Sequence, residues 1–186
     1  VSIDGLEIES LWIPTEGLTL TANLGILDAN YDSYTVLDGA GNNVDKSGFD
    51  LRRAPEMTLA LGALHEFALS NGDFIVSSLN YRWKDDYCVQ GNNFSAIEDH
   101  YGANPACNES YGIIDASISY ESDNWRLSFF GKNLGDEDYI LHFLDVASSV
   151  NATSATNATP VYVPGLWSFG TVNRPRYFGV ELQFEF

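Results

Sequence analysis

Apolar residues recur along this chain at every second position far more often than at helical spacing, and period-two alternation marks strands that are apolar on one side only. The C-terminal stretch is the clearest case, with Phe178, Val180, Leu182, Phe184 and Phe186 alternating with Tyr177, Gly179, Glu181, Gln183 and Glu185. Ile114, Ala116, Ile118 and Tyr120 alternate in the same way with Asp115, Ser117 and Ser119. Leu18, Leu20, Ala22, Leu24 and Ile26 do so with Thr19, Thr21, Asn23 and Gly25. Further strands are predicted from Trp125-Arg126-Leu127, around Ile75 to Trp83, and more weakly over 2–13 and 55–67, which makes an all-β chain of seven strands.

The connections alternate in length. Pro14-Thr15-Glu16-Gly17, Ser70-Asn71-Gly72-Asp73 and Glu121-Ser122-Asp123-Asn124 read as tight turns, and between them fall long polar loops at about 29–53, 86–109 and 137–175. Short turns at one end of the strands and long loops at the other is the antiparallel transmembrane β-barrel arrangement, with turns periplasmic and loops extracellular. Trp12, Phe67, Tyr120 and Trp125 sit beside the short turns, where an aromatic girdle lies, and Tyr81, Trp83 and Phe178 lie toward the long loops. A soluble β-sandwich whose aromatics form its core is the alternative at this stage.

Composition narrows the partners. The 186 residues carry nine Lys+Arg against 26 Asp+Glu, a formal charge of -17, so no broad basic face is available for nucleic acid. No apolar run is long enough for a spanning helix, which leaves strands as the route to a membrane. The chain opens on Val1 without an initiator Met and runs at once into Leu6-Glu7-Ile8-Glu9, as if inside a strand, so a fragment or a processed product is expected.

The final strand has the form polar-x-Gly-x-x-apolar-x-apolar closed by an aromatic, with Tyr177, Gly179, Leu182, Phe184 and Phe186 at its marked positions. Such a strand is the element by which insertion machinery recognises outer-membrane barrels. At this point the chain resembles the C-terminal part of TonB-dependent outer-membrane receptors. The resemblance also rests on Gly5-Leu6-Glu7-Ile8-Glu9 followed by Pro14-Thr15-Glu16-Gly17-Leu18-Thr19-Leu20, and on Ala54-Pro55-Glu56 opening a strand. Gly131-Lys132-Asn133-Leu134-Gly135-Asp136-Glu137-Asp138-Tyr139 looks like the family's Lys-Asn-Leu-x-Asp-x-x-Tyr signature, and Arg174-Pro175-Arg176 precedes the closing strand.

The resemblance implies the last seven strands of a barrel of about 22, over residues 1–186, with the plug domain and TonB box absent. The remainder of the barrel, the plug, TonB and the insertion machinery are the partners it implies, and import of a siderophore, cobalamin or oligosaccharide the activity. An odd number of strands leaves two unpaired edges, so the rest of the barrel is expected on another polypeptide or on a longer parent chain. A small non-transporting outer-membrane barrel, closed by an eighth strand hidden in 137–170 or by oligomerisation, is the second reading.

Cys88 and Cys107 share the second long loop of an otherwise cysteine-free chain and are expected to form a disulfide. His65, His100 and His142 are scattered, and Asp85-Asp86 and Glu98-Asp99-His100 read as solvated loop carboxylates, so no metal site or cofactor is expected. No nucleophile elbow, triad or phosphate loop is recognisable, and an enzyme is not expected. Gly39-Ala40-Gly41 reads as a flexible turn and Asn151 to Thr159 as a small polar repeat. Tyr162, Trp167 and Phe169 follow that repeat and could stack on a ligand at the barrel mouth or pack the loop. Arg52, Arg53, Arg82, Lys84, Arg174 and Arg176 fall at the outer ends of strands. Arg174 and Arg176 share the parity of Phe178 and are expected to meet lipopolysaccharide phosphates, whereas Arg82 and Lys84 have the opposite parity to Tyr81 and Trp83 and are expected to face the lumen.

Overall fold

The computed structural model describes residues 1–37, 43–45, 47–48, 51–89, 107–150 and 161–186. Within them the strands are β1 (Ser2–Thr15), β2 (Leu18–Asn30), β3 (Thr35–Leu37), β4 (Asn43–Asp45), β5 (Met57–Ala68), β6 (Phe74–Lys84), β7 (Tyr87–Cys88), β8 (Cys107–Asn108), β9 (Tyr111–Ser122), β10 (Trp125–Lys132), β11 (Ile140–Val150), β12 (Val161–Val172) and β13 (Tyr177–Phe184). Seven of them form one antiparallel sheet in the order β1-β2-β5-β6-β9-β10-β13. These are the seven strands read from the alternation, and each follows the last in sequence once the loop strands are set aside.

Residues directly opposed in an antiparallel pair lie on one face, so the register can be followed across the sheet. Trp12, Leu20, Ala63, Leu79, Ala116, Gly131 and Phe178 form one row from edge to edge. The row Thr21, Gly62, Asn80, Asp115 runs on the other side. One face is therefore apolar and aromatic and the other is polar or small. Among the described residues none packs against the apolar face, where Phe178 is 71% exposed and Val180 63%. Val89 and Ile113 are the buried hydrophobic residues among those described, and no large side chain among them is fully buried. A sandwich would place a second sheet over the apolar face, but the wall is one layer, and the sandwich reading fails.

The short turns have local causes. Gly17 (φ 78°) and Gly72 (φ 90°) take the left-handed conformation that closes the β1–β2 and β5–β6 turns. In the second turn Leu69 N–H donates to Asp73 O at 2.8 Å. The Tyr120 hydroxyl donates to the Asp73 carboxylate from the neighbouring hairpin. That bond, with help from Ser122 and Asn71, holds Asp73 below the usual carboxylate range. Tyr120 also stacks on Trp125, with ring centroids 5.2 Å apart, beside the β9–β10 turn.

The long loops are more ordered than their composition predicts. Each carries a ribbon of its own: β3 pairs with β4, β7 with β8, and β11 with β12. The third is a full hairpin, concealed in the sequence by two irregularities. Leu141 is an extra residue between the Ile140–Val172 and His142–Thr171 pairs, and the register shifts again between Val146 and Ser148, where β12 absorbs Pro164-Gly165. The polar repeat 151–159 and the Gly39-Ala40-Gly41 turn lie outside the described residues. Cys88 and Cys107 oppose one another across β7–β8 and are joined by a disulfide.

Gly179 in β13 lies opposite Phe130 in β10, and a Cβ there would enter the Phe130 ring. The Tyr177 ring meets Phe130 edge-on, with centroids 6.2 Å apart, so the phenyl group is held over the glycine. Gly179→Leu is expected to destabilise the β10–β13 pair by about 2 kcal/mol through overpacking and to lower the yield of heat-resistant receptor. Phe130→Ala in the same chain should recover most of that yield, and failure of the rescue would show that the glycine is needed for another reason.

Candidate functional site

Polar chemistry concentrates on the polar face at the long-loop end. Asp115 in β9 projects between its neighbours and is 7% exposed. Its Oδ2 accepts from Arg82 Nη2 at 2.9 Å and from Lys132 Nζ at 3.3 Å, and its Oδ1 accepts from the Asn133 N–H at 3.0 Å. One carboxylate thus ties β6, β9, β10 and the loop after β10. Lys84, on the same face of β6 as Arg82, lies over the Tyr87 ring at 5.1 Å. Tyr87 and Tyr111 share a hydrogen bond of 3.2 Å between their hydroxyls, and Tyr111 stacks on Tyr139 at 4.2 Å. The result is a patch of three cations and three phenol rings around a single buried carboxylate.

Next to the patch a groove of about 300 Å³ crosses the polar face of β1, β2, β5 and β6. Glu7 and Glu9 stand on one side, Arg82 and Lys84 on the other, and Asn23, Gly25, Thr58 and Ala60 form the floor. The floor is low because the Thr58 hydroxyl leans over Gly25, leaving no room there for a side chain. Among the described residues no His/Cys/Asp/Glu group could hold a metal ion.

Residues 1–134 match the family model described as "TonB dependent receptor-like, beta-barrel". The chain belongs to the TonB-dependent receptor family. This family resides in the outer membrane, combines a barrel with a plug, works with TonB, and is one of transporters rather than enzymes. Among solved structures, the ferric yersiniabactin uptake receptor FyuA from Yersinia pestis is similar, with a TM-score of 0.66 and 17% identity over 99% of this chain. At that identity the likeness speaks to the fold. The chain spans 23% of the length of that receptor. The polar face is accordingly the lumen of a TonB-dependent barrel and the apolar face its lipid side.

The family signature after β10 serves as a knot. Asn133, at φ 50° and buried, donates from Nδ2 to Glu137 O (2.9 Å) and Arg174 O (3.1 Å) and accepts from Glu137 N–H at 3.0 Å. Asn173, buried beside it, donates to Glu137 O (2.8 Å) and Arg174 O (3.2 Å) and accepts from Tyr139 N–H at 2.9 Å. Asn108 completes the set, exchanging two bonds with the Ile140 backbone at 3.1 and 2.7 Å. Asparagine side chains thus replace backbone partners where the chain leaves the wall for the third loop.

Of the residues singled out in the sequence, Tyr177 and Gly179 join the Phe130 contact, while Leu182 and Phe184 are exposed on the lipid face with Phe178. Phe186 lies beyond the strand and is fully exposed. Arg82 and Lys84 lie on the luminal face. Arg176 is drawn to Asp136, whose Oδ1 accepts its N–H at 2.8 Å and whose carboxylate lies 3.7 Å from the guanidinium, while the Arg174 side chain is exposed. Tyr162 and Trp167 belong to β12 with side chains outside the described residues, and Phe169 is 57% exposed. Glu98-Asp99-His100 also lies outside the described residues. Asp115, Asn108 and Asn173 carry more of the geometry than any of these. Only Asp115 had a visible signal, as the charged member of an otherwise serine-rich polar row.

Asp115→Ala leaves Arg82 and Lys132 without their counter-ion and Asn133 without its acceptor, and is expected to cost about 2 kcal/mol, read as a lower dissociation temperature of the folded receptor. Intact-mass analysis with alkylation, before and after reduction, should find Cys88 and Cys107 blocked until reductant is added. Two alkylated thiols without reduction would exclude the bridge from the mature protein.

Proposed function

We propose that this chain supplies the closing strands of a TonB-dependent receptor that imports an anionic chelate of the siderophore class. The observation that carries the reading is the luminal patch. Arg82 and Lys132 share the Asp115 carboxylate, Lys84 lies over the Tyr87 ring, and three phenol rings border them, with Glu7 and Glu9 across the groove. A large, delocalised anion gains both attraction to the cations and contact with the rings, whereas a neutral oligosaccharide gains only the latter. The solved neighbour is named as a ferric yersiniabactin uptake receptor, which agrees with this choice.

In this reading the long loops face outward and the short turns and C-terminus face the periplasm. The plug fills the lumen against the polar face, and Tyr162, Trp167 and Phe169 lie on the ligand's route in. The strand bearing Tyr177, Gly179, Leu182, Phe184 and Phe186 is the element read by the insertion machinery. Arg174 and Arg176 meet lipopolysaccharide phosphates, with Asp136 as the internal competitor for Arg176.

In the full receptor, Arg82→Gln with Lys84→Gln should weaken binding of a radiolabelled anionic ferric chelate about tenfold, equivalent to about 1.4 kcal/mol. Unchanged affinity, or a receptor that takes up only cobalamin or neutral oligosaccharide, would reject the anionic-chelate reading. Arg174→Ala with Arg176→Ala should lower the lipopolysaccharide retained on the purified receptor, and equal content in parent and variant would remove that assignment.

A further inference from the structure

The three phenol rings that border the luminal patch come from three separate segments of the chain. Tyr111 opens β9 opposite Lys84 and belongs to the wall. Tyr87 opens the β7–β8 ribbon, and Tyr139 directly precedes β11. Tyr111 is the middle ring, since its hydroxyl bonds that of Tyr87 at 3.2 Å and its face stacks on Tyr139 at 4.2 Å. All three are half-buried. The ribbon beside them consists of two opposed pairs, Tyr87 with Asn108 and Cys88 with Cys107, the second joined by the disulfide. Asn108 is buried and exchanges two bonds with the backbone of Ile140, the residue after Tyr139. One end of the bridge therefore adjoins Tyr87, and the other adjoins the asparagine that fixes the segment bearing Tyr139.

We infer that the Cys88–Cys107 bridge is a positioning element of the ligand seat, clamping Tyr87 and Tyr139 onto the two sides of Tyr111. Its effect on binding rests on the luminal patch being the seat of an anionic chelate, as proposed above. A ladder of two pairs gains little net free energy from its hydrogen bonds, and it must meet the entropy of bringing residues 88 and 107 together. A covalent link removes most of that opposition in advance. The remaining bonds each hold one side of the ribbon. The Arg53 N–H donates to Cys88 O at 2.8 Å beside β7, and Asn108 bonds Ile140 beside β8. The bridge joins the two sides. Lys84 lies over the Tyr87 ring at 5.1 Å, so the same clamp sets the surface on which that ammonium rests. A ligand that meets rings already assembled does not have to order them on binding, which raises affinity.

The test compares the full receptor with its Cys88→Ser, Cys107→Ser double variant by tetranitromethane nitration, mapped to single tyrosines by peptide mass. Loss of the bridge should raise nitration of Tyr87 and Tyr139 about fivefold through local opening. Tyr120, bonded to Asp73 at the short-turn end of the wall, should stay at the parent level and report an intact barrel. Asn108→Ala with the bridge intact should raise Tyr139 alone, a split that general weakening of the fold does not produce. Parent receptor reduced after folding, with its thiols methylated, should match the double variant and replaces it if that variant does not assemble. Affinity for a radiolabelled anionic ferric chelate should fall about tenfold without the bridge. Rings as protected without the bridge as with it would overturn the proposal. Exposed rings with unchanged affinity would overturn the role in binding. A parent receptor that binds no anionic chelate would instead reject the anionic-chelate reading, and nitration alone would then decide what the bridge holds.

Discussion

In hydrocarbon a backbone N–H or C=O without a partner costs several kcal/mol, and a strand can find partners only in the strands beside it. Every larger feature of this chain follows from that constraint. Sequential antiparallel pairing satisfies the five inner strands of the wall, tight turns keep neighbours in register, and excursions from the sheet are confined to one end. The outer edges of β1 and β13 are the places where the constraint is still open. Seven strands therefore form part of a wall and not a wall that can close on itself, as expected for a chain that spans 23% of a related barrel.

The same constraint governs the exit into the third loop. Here the ladder ends but the backbone is still shielded, and three asparagines take over its pairing. An amide side chain carries a donor and an acceptor in the geometry of a peptide group, so Asn108, Asn133 and Asn173 extend the ladder without another strand. Asp115 does the corresponding work on the luminal face, where a carboxylate can gather two cations and a backbone N–H from three successive segments. The neutral and the charged knot meet at Asn133, which belongs to both.

The wall was legible in the sequence because period-two alternation is imposed by lipid on one side and water on the other, and nothing local competes with it. Phe178 to Phe184 and Ile114 to Tyr120 needed no other signal. The β11–β12 hairpin was not legible as strand, since Leu141 and Pro164-Gly165 each break the alternation and neither face is bound to lipid by the register. The site was legible only in part. Parity alone placed Arg82 and Lys84 on the luminal side, but the meeting of Arg82 with Lys132 through Asp115 depends on register across three strands. Asn173 and Asn108 look like ordinary loop residues until their partners, more than thirty positions away, are known.

The glycine beneath Phe130 bears on how the last strand finds its place. Sliding β13 by one residue would turn its apolar row toward water, which lipid already forbids. Sliding it by two preserves the faces, and alternation has no objection. It would, however, bring Glu181 or Tyr177 under the phenyl ring in place of Gly179, and only the glycine leaves room for the ring. The notch therefore discriminates among the alignments that hydrophobicity cannot tell apart, a form of steric proofreading at the step where an inserting strand commits to its neighbour.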